Sequence, residues 1–400
     1  MDSLTSRERM GVAMRLGTPD RVPVMCQLSL GHYFLQAGLD TIEIWHSTDA
    51  FAEALVRLQR RYGFDGILVN LPGRDPEWRR QVRRIQECYG ERVITWTNGW
   101  YTRAPPDDNP HVYQANGERY FPSLDEIDPD RLFYVEPHDL SSITYPYSWG
   151  FEGGPAPPGP GFFPPWHYDT IARVLDAVGG EVSVHGEVFS PFSQLMELLN
   201  YEAGLMALLD DPGKVRACLD RLADGAIELG SGQAAAGAHA ILISSAFAGA
   251  GLISPEHYAE FVLPCERKVV RGIRAVAHVP IYTHTCGAIG DRLDLMEATG
   301  TDGIDTLDPP PLGTVELAEA KRRTAGRLFI KGNLDPVHTV LMGSPADTLA
   351  AARERIATAG PGGGYILSTA CSVAPLAPPE NILMLREAVE RFGRYPIADG

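Results

Sequence analysis

The 400-residue sequence has no apolar run long enough to span a bilayer, no short-spaced cysteine framework, and no GxGxxG element after a strand-like segment. The first absence argues against a membrane-spanning protein, because a spanning helix takes about 20 consecutive apolar residues. The N-terminal stretch MDSLTSRERMGVAMRLG reads as an amphipathic helix and lacks the apolar centre of a secretory signal, so a cytoplasmic location is expected. Positive charge is scarce: 35 Lys and Arg against 51 Asp and Glu give a formal net charge of −16. So acidic a chain argues against nucleic acid or an anionic membrane as the main partner. The six cysteines, at 26, 88, 218, 265, 286 and 371, are scattered. Without an export signal they are expected as reduced thiols, serving as buried apolar residues or as metal ligands. The missing GxGxxG removes one common reason to expect an open, doubly wound sheet.

What is present is enough apolar material for a large core, 44% hydrophobic residues with 22% charged. Eight segments read as strands: 21–29, 63–72, 181–190, 239–249, 279–287, 303–310, 328–336 and 364–375. Most have an apolar first half, as a strand covered on both faces requires, and then turn polar: His-Thr-Cys, Asp-Thr-Leu-Asp, Lys-Gly-Asn-Leu-Asp, Ser-Thr-Ala-Cys. Helix-like stretches such as 291–300, 314–326 and 346–359 lie between them. This alternation predicts a (β/α)8 TIM barrel, of class α/β, with an N-terminal helix and its chemistry at the C-terminal ends of the strands. One domain over residues 1–400 is expected, with 91–168 as an excursion within it. Residues 91–122 carry two Asn-Gly pairs between strand-like runs, the mark of a β-hairpin. Residues 143–168 are too rich in Pro and Gly for regular structure yet hold eight aromatics. Such a loop is packed, either as a cover or dimer contact, or as a lid over an apolar pocket.

On a strand, residues i and i+2 face the same side, so His284 and Cys286 project together from the end of the fifth strand. Cys371 holds the corresponding place on the eighth. One imidazole and two thiolates suit zinc and leave a coordination position for substrate or water. The plainer reading is a core histidine and two buried thiols; placement at polar strand ends, with Gly287 allowing a tight turn, favours the metal. Asp305 and Asp308 follow on the sixth strand, and either carboxylate is a candidate fourth ligand, with helix capping or a loop hydrogen bond as the alternative. His185 and Glu187 are alternation partners on the third strand and candidates for proton handling, although His185 also reads as a satisfied core histidine. Asp305 joins them as a candidate catalytic group. His32, Tyr33, Asn70, Asn333 and Trp149 are the candidate substrate-binding residues. Asp335, before Pro336, is also a plain helix-starting turn.

The stretches TSRERMGVAMRLGTPDRVPV, THTCGAIGDRLDLMEATGTDGIDTLDPPPLGTVELAEAK, KGNLDP and GYILSTACSVAPLAPPENI resemble the uroporphyrinogen decarboxylase superfamily, over nearly the whole chain. The resemblance implies a (β/α)8 barrel and a tendency to form homodimers. Decarboxylases of that group carry an arginine-rich first loop that holds the propionates of a tetrapyrrole; the matching loop here, CQLSLGHYF (26–34), has no arginine. The other branch comprises zinc methyltransferases that work with corrinoid proteins, marked by HxC and a late Cys, as at His284, Cys286 and Cys371. Cobalamin-independent methionine synthases use a similar zinc barrel with a carboxylate, for which Asp308 is the counterpart, though that family uses Glu. The implied activity is methyl transfer between a small substrate, an aromatic methyl ether or a thiol, and a corrinoid carried by a separate protein. Zinc would then hold a thiolate or act as a Lewis acid on an ether oxygen. The alternatives are a metal-independent decarboxylase or lyase, and a tetrapyrrole- or corrinoid-binding protein without catalysis.

Overall fold

Strands that are apolar on both faces need cover on both, and the computed structural model shows how this chain supplies it. The structure describes residues 4–119, 121–135 and 157–397, with backbone alone at 143–144 and 148–149. In chain order the strands are β1 (Gly66–Val69), β2 (Val82–Cys88), β3 (Glu91–Trp96), β4 (Tyr101–Ala104), β5 (His111–Tyr113), β6 (Ile143–Thr144), β7 (Ser148–Trp149), β8 (Ser183–Phe189), β9 (Ala240–Ser244), β10 (Ile281–Thr285), β11 (Gly303–Thr306), β12 (Phe329–Leu334) and β13 (Tyr365–Thr369). Seven of them form one parallel sheet in the order β1-β8-β9-β10-β11-β12-β13, curled as in a TIM barrel.

The first predicted strand, 21–29, does not form a regular strand. It closes the ring through isolated bridges, Val24 with Leu367 and Leu28 with Val373. Leu367 donates its N–H to Pro23 O (2.9 Å) and Met25 donates to Leu367 O (3.0 Å), while Asp65 N–H reaches Val24 O (2.7 Å) on the other side. Pro23 has no N–H to give a ladder, which accounts for the broken pairing. Side chains take over: the buried Asp65 carboxylate accepts from Val24 N–H (2.8 Å) and pairs with Arg9 (2.7 Å) and Arg21 (2.9 Å).

Alternation along the strands sorts the core. Leu68, Leu242, Tyr282, Phe329 and Ile366 point into the barrel, where Met10, Ala13 and Met14 of the helix Ser6–Met14 plug its lower end. Burial of side chains of this size contributes roughly 1.5–3 kcal/mol each. Outward-facing residues such as Val184, Ile241, Ile243, Ile281 and Leu367 pack under the surrounding helices. Among the described residues no helix is long and apolar enough to cross a membrane.

The antiparallel sheet β2-β3-β4-β5 lies apart from the barrel sheet, starting at Val82, ahead of the expected boundary at 91. Asn98 and Gly99 turn the chain between β3 and β4 as their spelling predicts, with Gly99 at φ +88°. One face of this sheet buries Ile94 and Trp96 against Ile42 and Trp78. Of the aromatic segment, Tyr145, Tyr147 and Phe151 lie outside the described residues, and at Trp149 only the backbone is described. Phe162 and Phe163 are core residues, with ring centroids 5.0 Å from Phe133 and 5.4 Å from Tyr134 respectively.

Candidate metal centre

The register of the parallel sheet determines which polar strand ends meet. His284 is the Cα partner of Asp305, and Asp305 is the partner of Lys331, so three consecutive strands present one row of side chains. Two residues further along, past the end of β10, Cys286 follows His284 on the same side. Cys371 arrives beyond the end of β13, across the mouth of the barrel.

The three candidate ligands converge. Cys286 Sγ stands 3.8 Å from Cys371 Sγ and 3.3 Å from His284 Nε2, and one donor atom from each residue lies within 4.8 Å of the others. Zinc–sulfur bonds of about 2.3 Å at a tetrahedral angle set two thiolates about 3.8 Å apart, and a zinc-bound imidazole nitrogen about 3.5 Å from each sulfur. The donor set and its spacing therefore fit a zinc ion.

The surroundings prepare the imidazole. Asp305, 2% exposed, stands with Oδ2 3.3 Å from His284 Nδ1 and accepts at Oδ1 from Lys331 Nζ (2.7 Å) and Thr306 N–H (3.0 Å). A carboxylate at Nδ1 holds that nitrogen protonated and leaves the Nε2 lone pair facing the sulfurs, the usual arrangement behind a metal-binding histidine. Burial alone would raise the Asp305 pKa, but the Lys331 ammonium and His284 hold it down at about 2. Burial likewise opposes a charge on His284, yet its hydrogen bonds to Asp305 and Cys371 raise it. Of the two thiols, Cys371 is lowered by its hydrogen bond to Cys286 and by His284, and Cys286 is raised beside it. The site is therefore one in which protons must leave as a cation enters.

Backbone geometry at the strand ends is strained or tightly packed. Gly287 takes φ +80°, and Thr306 and Leu307 take φ +88° and +56° without being glycine. Thr306 is held there by donating from Oγ1 to Thr285 O (2.6 Å), and the turn delivers Asp308. Asp308 Oδ2 accepts from Gly287 N–H (2.6 Å), and the carboxylate is not among the three donors that converge. This is a loop hydrogen bond, and burial lifts the carboxyl's pKa to about 6. A methyl at Gly249 would stand 2.3 Å from Cys286 O, so only glycine lets the loop after β9 pass this close to Cys286.

The other predicted site residues are spread more widely. His185 is fully buried, with Nδ1 2.8 Å from Tyr282 Oη and Nε2 2.9 Å from Ser183 Oγ, and burial lowers its pKa to about 3. Both ring nitrogens are used inside the barrel, the geometry of a satisfied core histidine. Glu187 is largely buried two residues further along β8. His32 is also fully buried, between Pro375 O (3.0 Å) and Tyr62 Oη (2.7 Å), and burial lowers it to about 4. Tyr33 packs edge-on to Phe51 in the core. Asn333 donates from Nδ2 to Leu307 O (2.8 Å) and so braces the strained turn, while Asn70 is half-buried at the end of β1. None of these six residues lines the pocket that opens beside the cysteines.

That pocket, about 700 Å³, has Cys286, Cys371 and Asp308 in its wall. Its rim is apolar: Leu252, Leu312 and Val337 line it and are 41%, 65% and 39% exposed. Its far side is the turn after β12, where Asp335 caps a π-helical segment, Pro336–Leu341, by accepting from Val337 and His338 N–H (2.8 Å each). The rim leucines were not legible beforehand, because an exposed leucine in a proline-rich loop carries no periodicity. Lys331 was visible as a polar strand end and as a group a lyase would need; its service to Asp305 needs the register.

Comparison with known proteins agrees with this architecture. Residues 160–392 match the family model described as uroporphyrinogen decarboxylase (URO-D). The chain is 30% identical over 237 residues to a uroporphyrinogen decarboxylase of Alkalilimnicola ehrlichii, covering 57% of this chain and 62% of that protein. It is also 30% identical over 232 residues to the methylcobamide:CoM methyltransferase MtbA of Methanosarcina mazei, covering 56% of this chain and 65% of that one. Among solved structures, a methyltransferase from Methanosarcina mazei superposes with a TM-score of 0.69 at 19% identity, over 98% of this chain and 99% of its own. Barrel, strand-end chemistry and more than half of the sequence point the same way: the chain belongs to the uroporphyrinogen decarboxylase family.

Proposed function

We propose that this protein is a zinc-dependent methyltransferase that moves a methyl group between a small substrate and a corrinoid carried by a separate protein. The observation that carries the reading is the His284, Cys286 and Cys371 donor set, spaced for zinc and open to a pocket with no lysine or arginine among its described lining residues. A tetrapyrrole polycarboxylate needs cations to hold it, and neither the described lining of this pocket nor the loop 26–34 offers an arginine or lysine. A zinc ion held by His284, Cys286 and Cys371 would supply Lewis acidity toward a substrate thiol or an ether oxygen. The chain's own residues do the rest. Asp305 keeps the proton on His284 Nδ1, Lys331 holds Asp305 ionised, and the Gly287 amide orients Asp308 in the pocket wall. The apolar rim excludes water from the reacting methyl group.

Decarboxylation without metal is the second reading, favoured by the 30% identity to a named uroporphyrinogen decarboxylase. Metal analysis with methyl-transfer assays separates the two. Purified protein should carry about one zinc per chain, lose it in Cys371→Ser, and demethylate a donor only with reduced corrinoid present. A zinc-free protein that Cys371→Ser leaves unchanged sinks the methyltransferase reading, and turnover of a carboxylated tetrapyrrole after chelation puts decarboxylation in its place.

A further inference from the structure

The charge of the pocket restricts its ligand further than the metal does. Its ionisable lining residues, apart from the two cysteines, are Asp308, Asp335 and His338 among the described residues. His338 is the one possible cation, and its Nδ1 lies 2.8 Å from Asp335 Oδ2, so any charge it carries is already met. Two thiolates would balance the charge of a divalent ion held there, leaving the metal centre without a net positive charge. A carboxylate entering this space gives up water, finds apolar walls at Leu252, Leu312 and Val337, and meets two carboxylates of its own sign. A neutral molecule pays none of these costs and gains from burying apolar surface.

We infer that the pocket selects uncharged, apolar methyl donors and rejects their carboxylated analogues, with Asp308 and Asp335 as the discriminating groups. The inference rests on the proposed methyltransferase role for the donor identity, but its physical content is a binding preference. A volume of about 700 Å³ accommodates a single substituted ring with room to spare.

The test uses the full-length zinc-loaded protein and two probes that differ by one group, 2-methoxyphenol and 4-hydroxy-3-methoxybenzoate, with affinities from titration calorimetry. The neutral probe should bind at least tenfold more tightly. Leu312→Arg, at a 65% exposed position on the rim, should shift the ratio of the two affinities at least tenfold toward the carboxylate. Asp335→Asn, which keeps the side-chain shape, should raise the carboxylate's affinity at least threefold. Equal binding, preference for the carboxylate, saturable binding of neither probe, or no response to both substitutions would overturn the selectivity. Tight neutral binding without methyl transfer to a reduced corrinoid counts against the methyltransferase reading alone and leaves the selectivity standing.

Discussion

Replacing Asp305 by Asn keeps the side-chain volume and removes one acceptor from a place where both are used. The carboxylate faces Lys331 Nζ at 2.7 Å through Oδ1 and His284 Nδ1 at 3.3 Å through Oδ2. An asparagine must keep its oxygen toward the ammonium, which cannot accept a hydrogen bond, so its NH2 turns to the imidazole. Nδ1 then becomes the acceptor, the proton moves to Nε2, and the nitrogen facing the sulfurs loses its lone pair. Losing such a partner typically weakens metal affinity by about 10–100-fold, or about 1.4–2.7 kcal/mol. A second cost falls on the fold, since Lys331 is 2% exposed and loses its counter-ion; breaking such a buried pair costs about 3–5 kcal/mol. The pair Asp305→Asn with Lys331→Met separates the two effects. Unfolding in urea should show the single variant destabilised and the double variant restored to within about 1 kcal/mol of the parent, because the unpaired charge is gone. Competition with a chromogenic chelator should show both variants binding zinc at least tenfold more weakly, because in the double variant Thr306 N–H, 3.0 Å from Oδ1, still holds the amide oxygen away from the imidazole. A double variant that holds zinc as tightly as the parent would refute the argument and leave Asp305 a purely structural counter-ion.

Two further outcomes test the surroundings of the site. Gly249→Ala puts a methyl 2.3 Å from Cys286 O; relieving it should cost about 1–3 kcal/mol in urea unfolding and weaken zinc binding, and unchanged zinc affinity would show the loop yields without moving the ligand. Glu266 is fully buried, with Oε2 3.3 Å from Tyr258 Oη, and burial raises its pKa from 4.5 to about 7. The folded state therefore holds a proton that the unfolded state has lost, and stability falls as pH rises from about 4.5 to about 7, by about 3 kcal/mol in all. Glu266→Gln should flatten that interval and be the more stable protein at pH 8; unfolding curves at pH 5, 6, 7 and 8 that keep the parent's slope would reject the assignment.

How legible the fold was depended on strand type. β8 through β13 are short apolar runs that end in polar residues, and the helices between them leave the parallel barrel as the natural arrangement. The segment 21–29 spells a strand equally well, but Pro23 interrupts its ladder, and the Asp65, Arg9 and Arg21 network that secures it joins residues 44 and 56 positions apart. No local pattern contains that information. Trp96 and Trp78, which anchor the antiparallel sheet against Ile42, are similarly non-local, so the sheet's start at Val82 was not marked in the sequence.

The candidate site divides along the same physical line. Spacing alone put His284 and Cys286 on one side of one strand, because period two is a property of the strand itself. Bringing Cys371 to 3.8 Å requires the barrel to close, and placing Asp305 behind His284 requires the register between β10 and β11. His185 and His32 show the limit of residue type as a signal. Each is a histidine beside a strand end or in the first loop, and each spends both ring nitrogens on buried partners, Tyr282 and Ser183 for one, Tyr62 and Pro375 for the other. A buried imidazole must satisfy both nitrogens somewhere, and only the three-dimensional neighbours decide whether that partner is a hydroxyl or a metal. What distinguishes His284 is that its second nitrogen faces sulfur, with a carboxylate and an ammonium in line behind the first.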